Sequence, residues 1–206
     1  LDATLKELVK SGSELYQNLF AYKTDFDAPL IKRASGGVDE DPADDSQIKF
    51  STLRKQGIAT SDKYAFLIDG KDSTYLQGSG YINIKLDEPK QNVTFVYATR
   101  GATANGSPNI PKWGMNERPG NVSLYGANTL EGDTAYGNPI ISSIDMSEVA
   151  PHTVNLGRPV NRIAYQVLSN ATGGNYFTLG EFQVYEAKID EATSQYYTTP
   201  GLKAPA

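Results

Sequence analysis

The sequence predicts a mainly β protein, an antiparallel jelly-roll β-sandwich with an N-terminal α-helical appendage. Three observations carry that prediction. Apolar and polar residues alternate with period 2 in short stretches from about residue 81 to residue 185, clusters of Gly, Pro, Asn and Asp separate those stretches, and no helical pattern lies between them. Short strands joined by turns, without intervening helices, close as a sandwich rather than as a parallel sheet. The 206 residues, 39% of them hydrophobic, suffice for one principal core.

From Asp2 to about Tyr22 the apolar residues Leu5, Leu8, Val9, Leu15, Tyr16, Leu19 and Phe20 fall on one helical stripe, with Thr4 and Glu7, or Asp2 alone, at the N-cap. This predicts one amphipathic helix within a helical segment 1–28. Its stripe has to be buried, either on the domain that follows or on a neighbouring domain. Residues 29–47 read as a linker. Five acids between Asp39 and Asp45 mark a solvated surface there, because they lack the alternation and closing Glu of a calcium hand.

The sandwich is expected over 48–187. Ile82, Ile84 and Leu86 alternate with Tyr81, Asn83 and Lys85; Val93, Phe95 and Tyr97 alternate with Thr94 and Val96; Val122 and Leu124 alternate with Asn121, Ser123 and Tyr125. Val154 to Leu156, Ile163 to Val167 and Phe182 to Tyr185 continue the series as strands. Residues 188–206 lack strong periodicity and form a tail that packs on the sandwich or begins a linker to another domain.

Charge and composition exclude several functions. With 19 Lys and Arg against 24 Asp and Glu, a formal charge of -5, the chain has no basic footprint for nucleic acid. The same acidity argues against a lipid-surface role. Without Cys there is no disulfide or thiolate chemistry, and one His excludes a multi-histidine zinc site. No run of about 18 apolar residues exists, so no membrane insertion is expected. The chain opens at Leu1 without a signal peptide and reads as a processed or excised piece of a larger protein. No nucleophile elbow, phosphate loop or metal-hydrolase motif is present, so a noncatalytic role is expected.

One stretch carries most of the site chemistry: the apolar run Ala65 to Ile68 breaks into Asp69-Gly70-Lys71-Asp72-Ser73-Thr74, followed by Tyr75-Leu76-Gln77-Gly78. Gly70 permits positive φ, and the Asp and hydroxyl side chains bond back to local amides. The loop reads either as a plain turn or as an oxygen cage for a hard cation such as calcium.

This stretch resembles the signature of the discoidin, or coagulation factor 5/8 type C, superfamily, which includes bacterial galactose-type carbohydrate-binding modules. Leu76 and Gln77 stand where that family usually has Trp and His. Further similar pieces follow in the family's order: Tyr81 to Pro89, Phe95 to Arg100, Pro119 to Asn128, Arg162 to Tyr165, and Phe177 to Glu186. The resemblance spans about residues 48 to 187 and implies a galactose-binding-domain-like sandwich. It also implies a structural calcium held by Asp69, Thr74 and Glu181, with carbonyls of Phe66, Lys71 and Gly180. The alternative is that Glu181 hydrogen-bonds the Asp69 turn without metal.

The resemblance further implies a sugar site in loops at one end of the sandwich, where Arg100 and Asn105 match family residues and Gln77 replaces the His. Bidentate polar groups suit sugar hydroxyls, and an aromatic plane suits the apolar face of a pyranose. Tyr176 or Phe177 supplies that plane, with Trp113 as an independent candidate. Arg100 serves either the sugar or an ion pair, Trp113 either as a platform or as a half-buried anchor, and His152 is expected to hydrogen-bond at a strand start. The implied function is a carbohydrate-binding module recognising glycans within an exported bacterial protein, secreted or at the cell surface, beside other domains. The alternative is a discoidin-like protein-interaction or spacer domain without a sugar site.

Overall fold

The computed structural model describes residues 22–31, 47–52, 67–68, 75–99 and 116–190. Nine strands are described: β1 Tyr22–Pro29, β2 Ile48–Ser51, β3 Leu76–Gly78, β4 Tyr81–Ala98, β5 Asn121–Ala127, β6 Ile141–Asp145, β7 His152–Val167, β8 Phe177–Leu179 and β9 Glu181–Ile189. A seven-stranded sheet runs β1-β9-β4-β7-β5-β6 with β2 added on β4, and β3 pairs β8 in a second, two-stranded sheet. Every described pairing is antiparallel.

The long antiparallel pair of β4 and β7 builds the two layers. Its first half joins Tyr81–Lys85 to Arg162–Gln166, and its second joins Asn92–Phe95 to His152–Asn155, with register shifts between Lys85, Lys90 and Asn92. Pro89 in β4 and Pro159 in β7 sit in this transition, and neither can donate a ladder hydrogen bond. Gly157 beside them takes φ +79, a conformation that side-chain-bearing residues resist. The pair therefore bends, and its halves face one another. The rings of Phe95 and Tyr165, from opposite halves, meet at 5.4 Å, and Phe182 of β9 packs on both at 6.0 and 5.1 Å.

The predicted alternation holds where it was read: Ile82, Ile84, Val93, Phe95, Val122, Leu124, Phe182 and Val184 are buried in the core. The sequence divides β4 and β7 into two strands each, whereas the structure runs each pair together through the bend. A proline at a register shift interrupts the ladder without ending the strand.

The predicted helix from Asp2 to about Tyr22 lies outside the described residues except for Tyr22 itself. From Tyr22 onward the segment assigned to 1–28 is corrected: Tyr22–Pro29 is a strand on β9, with Tyr22 opposite Ile189 and Thr24 opposite Ala187. The stretch Tyr22-Lys23-Thr24-Asp25-Phe26 alternates with period 2 and leads to Pro29, which an edge strand accommodates. The Thr24 hydroxyl lies 2.7 Å from that of Thr94, itself 2.9 Å from that of Thr153, so the edge is tied across the outer face of the sheet.

Candidate functional site

The site is set by how β8 is held on both sides. On one side β3 pairs with it, placing Leu76 opposite Leu179, Gln77 opposite Thr178 and Gly78 opposite Phe177. On the other side the backbone N–H of Thr178 donates to the Glu117 carbonyl at 2.9 Å. Gln77, Thr178 and Glu117 therefore stand in one cross-strand row.

The segment 116–120 is stitched to the loop that precedes β8. Ala171 N–H donates to the Arg118 carbonyl at 2.8 Å, Gly120 N–H to the Ser169 carbonyl at 2.7 Å, and Pro119 bridges Asn170. At the other end of β8, Gly180 N–H donates to the Ala98 carbonyl at 3.0 Å, and Ala98 is the register partner of Glu181. Thr99 and Asn116 bound the undescribed residues 100–115, so both roots of that segment lie against the β8–β9 junction.

Tyr176 immediately precedes β8 and is 42% exposed. Phe177 is a correction: it is fully buried, with its ring 6.1 Å from that of Phe50 in the core. The split falls at the strand boundary: Tyr176 precedes β8, whereas Phe177, Thr178 and Leu179 within it are all buried. Gln77 is half-buried. Arg100, Asn105 and Trp113 lie outside the described residues.

Of the expected cation ligands, Glu181 and Gly180 are described, whereas Asp69, Thr74, Phe66 and Lys71 lie outside the described residues. Ile68, the residue before Asp69, shares a cavity of about 270 Å³ with Tyr97, Ala98 and Glu181. Glu181 is half-buried and lines this cavity, and Gly180 precedes it in the chain. Among the described residues no group of three or more His, Cys, Asp or Glu side chains gathers.

The floor beneath this end is fixed by a buried polar contact. Tyr97 donates its hydroxyl to the Met146 carbonyl at 2.7 Å, and burial pushes its pKa up to about 12, against the opposing pull of Arg118. Asp145 is held below its ordinary value by hydrogen bonds from Ser147. His152 does what the sequence leads one to expect at a strand start: its Nε2 lies 2.7 Å from the Glu148 carbonyl.

The sequence reading passed over Asn170 and Glu117. Asn170 is buried at 7% exposure, and one carboxylate oxygen of Glu117 is buried. The signal for Asn170 was its run, Asn170-Ala171-Thr172-Gly173-Gly174, a turn sequence in which an Asn side chain can bond the backbone two residues on. Glu117, beside Pro119 and Gly120, carried no comparable signal.

No family model matches the sequence, and no curated protein matches it. Among solved structures, the F5/8 type C domain of a Bacteroides fragilis protein is 18% identical, covers 62% of this chain and 83% of its own, and gives a TM-score of 0.40. The family 32 CBM of Clostridium perfringens NanJ, solved in complex with galactose, is 14% identical over 68% of this chain and 93% of its own, with a TM-score of 0.40. CBM32-3 from a Clostridium perfringens family 31 glycoside hydrolase is 12% identical over 70% and 94%, with a TM-score of 0.41.

Proposed function

We propose that the chain is a noncatalytic carbohydrate-binding module of an exported bacterial protein, secreted or at the cell surface, which recognises glycans at the β3–β8 end of the sandwich. One observation carries this reading. The half-exposed Tyr176 ring, Gln77 across the β3–β8 pair, and both roots of the segment containing Arg100, Asn105 and Trp113 converge on one short strand. An aromatic plane flanked by amide and guanidinium groups supplies the stacking and the paired donors and acceptors that a pyranose requires.

A structural calcium belongs to the same proposal. Asp69, Thr74 and Glu181, with carbonyls of Phe66, Lys71 and Gly180, would hold it; two carboxylates balance the divalent charge and the ion ties the loop to the last strand. Its place beside Glu181 is next to the β8–β9 junction, so the ion would stiffen the loop roots without contacting the sugar.

A second reading, a discoidin-like protein-interaction or spacer domain without a sugar site, draws on the burial of Phe177, which leaves Tyr176 as the one platform aromatic of the pair. A glycan array probed with and without calcium separates the two. The module reading predicts binding to a defined sugar class that is lost in Arg100→Ala and Tyr176→Ala; silence from folded, calcium-loaded protein favours the spacer.

A further inference from the structure

The loop from Asn170 to Tyr176 is wrapped around a single side chain. The Asn170 Oδ1 accepts from Thr172 N–H, Thr172 Oγ1 and Gly174 N–H, each at 2.9 Å, while its Nδ2 donates to the Tyr176 carbonyl at 2.7 Å. Its backbone N–H donates to the Gly174 carbonyl at 2.6 Å, and its own carbonyl accepts from Gly173 N–H at 3.0 Å. Gly173 takes φ +93, and a Cβ on Gly174 would stand 2.9 Å from Asn170 Nδ2, so the loop has room for little else. Tyr176 is thus clamped on both sides, by the Asn170 amide at its own carbonyl and by the buried Phe177 that follows.

We infer that Asn170 is a positioning residue for the ligand platform: through its Nδ2 donation to the Tyr176 carbonyl it holds the Tyr176 ring at the height from which it meets a sugar, without touching the sugar itself. The inference rests on the sugar-binding reading above and assigns the loop a task beyond closing the turn. A loop platform that is ordered before binding avoids the entropy loss of ordering it on contact, so the cost of losing the clamp falls on affinity.

Asn170→Asp is the informative variant. It keeps an acceptor for Thr172 and Gly174 but sets a carboxylate oxygen, in place of the donor, against the Tyr176 carbonyl. Titrations with galactose, N-acetylglucosamine and galacturonate by calorimetry are expected to show about tenfold weaker binding at pH 7 for the sugar that wild type binds. As pH falls and the carboxyl protonates, a step that the Tyr176 carbonyl favours and the Thr172 and Gly174 donors oppose, the protonated group donates again. Binding then returns toward that of wild type measured at the same pH. In a Tyr176→Leu background the same substitution changes affinity less than twofold, which a general loss of fold would not produce.

Wild-type affinity in Asn170→Asp at pH 7, or the same tenfold loss in the Tyr176→Leu background, would overturn the inference. If wild type binds none of these sugars, the sugar-binding reading fails instead. The clamp is then read from ¹³C relaxation of labelled tyrosine rings, where increased motion at Tyr176 in Asn170→Asp supports the inference and unchanged motion contradicts it.

Discussion

The rings of Phe95 and Tyr165 meet at a tilt, 5.4 Å apart, although their partners in the β4–β7 ladder are His152 and Ile82 respectively. Rings that are distant in the ladder meet only because the β4–β7 strand pair bends, so these two rings close the two layers. Phe95→Ala removes the ring that faces both Tyr165 and Phe182 and is expected to cost about 3–5 kcal/mol of stability. Urea unfolding followed by circular dichroism measures it, and a loss under about 1 kcal/mol would mean that the layers are held elsewhere.

Two buried tyrosines make opposite predictions. Tyr97→Phe breaks the hydroxyl bond to the Met146 carbonyl and is expected to destabilise by about 1 kcal/mol. Tyr165→Phe removes a hydroxyl that is buried with no hydrogen-bond partner among the described residues, and is expected to be neutral or to stabilise by about 1 kcal/mol. Thermal melts of the two variants side by side distinguish them.

The same residues set the alkaline limit. Burial raises the pKa of Tyr97 to about 12 and that of Tyr165 well above 10.0. The unfolded chain therefore releases these protons near pH 10 while the folded chain retains them, so stability falls as pH rises from about 10 toward 12. Each group adds a slope of at most about 1.4 kcal/mol per pH unit in that window, and Tyr97→Phe should remove one such contribution. A stability curve flat from pH 10 to 12 would contradict it.

The proposed cation predicts a linkage that needs no sugar. Calcium in excess of its dissociation constant is expected to raise the melting temperature of wild type, reversibly with chelator, by a free energy of about 2.7 kcal/mol at a hundredfold excess. Glu181→Gln removes one of the two carboxylates and should largely abolish the shift. Equal shifts in the two proteins would remove Glu181 from the site.

Gly120 sits against the Asn170 carbonyl, which a Cβ would meet within contact distance of backbone that cannot step aside. Gly120→Ala is expected to destabilise by about 1–3 kcal/mol and to weaken sugar binding as well, since it separates the segment 116–120 from the Asn170 loop. Calorimetric melts and sugar titration of the same sample test both arms. Full retention of affinity would show that the two loops act independently.

The sequence disclosed what depends on periodicity and hid what depends on bends and edges. Ile82, Ile84, Val93 and Phe95 were legible as core because alternation is local, yet the union of their two stretches into β4 depends on Pro89 and on the partner strand. Tyr22 to Pro29 shows a similar limit: the residues alternate, but the longer helical stripe before them masks a strand that exists only because β9 offers it an edge. At the site, Tyr176 and Phe177 could not be separated from sequence, since which of two neighbours faces the core depends on the β3–β8 register. Asn170 escaped for another reason. Its importance lies in four hydrogen bonds made by one amide, and composition records only a turn.

The most direct measurement is an amide-resolved NMR titration of the ¹⁵N-labelled protein with the glycan that an array selects. The account predicts shifts concentrated at Leu76–Gly78, Glu117–Gly120 and Asn170–Gly180, with saturation and with loss in Tyr176→Ala. Shifts gathered instead on the β1–β9 edge around the exposed Lys23, Asp25 and Lys188, or none from folded, calcium-loaded protein, would contradict a sugar site at the β3–β8 end.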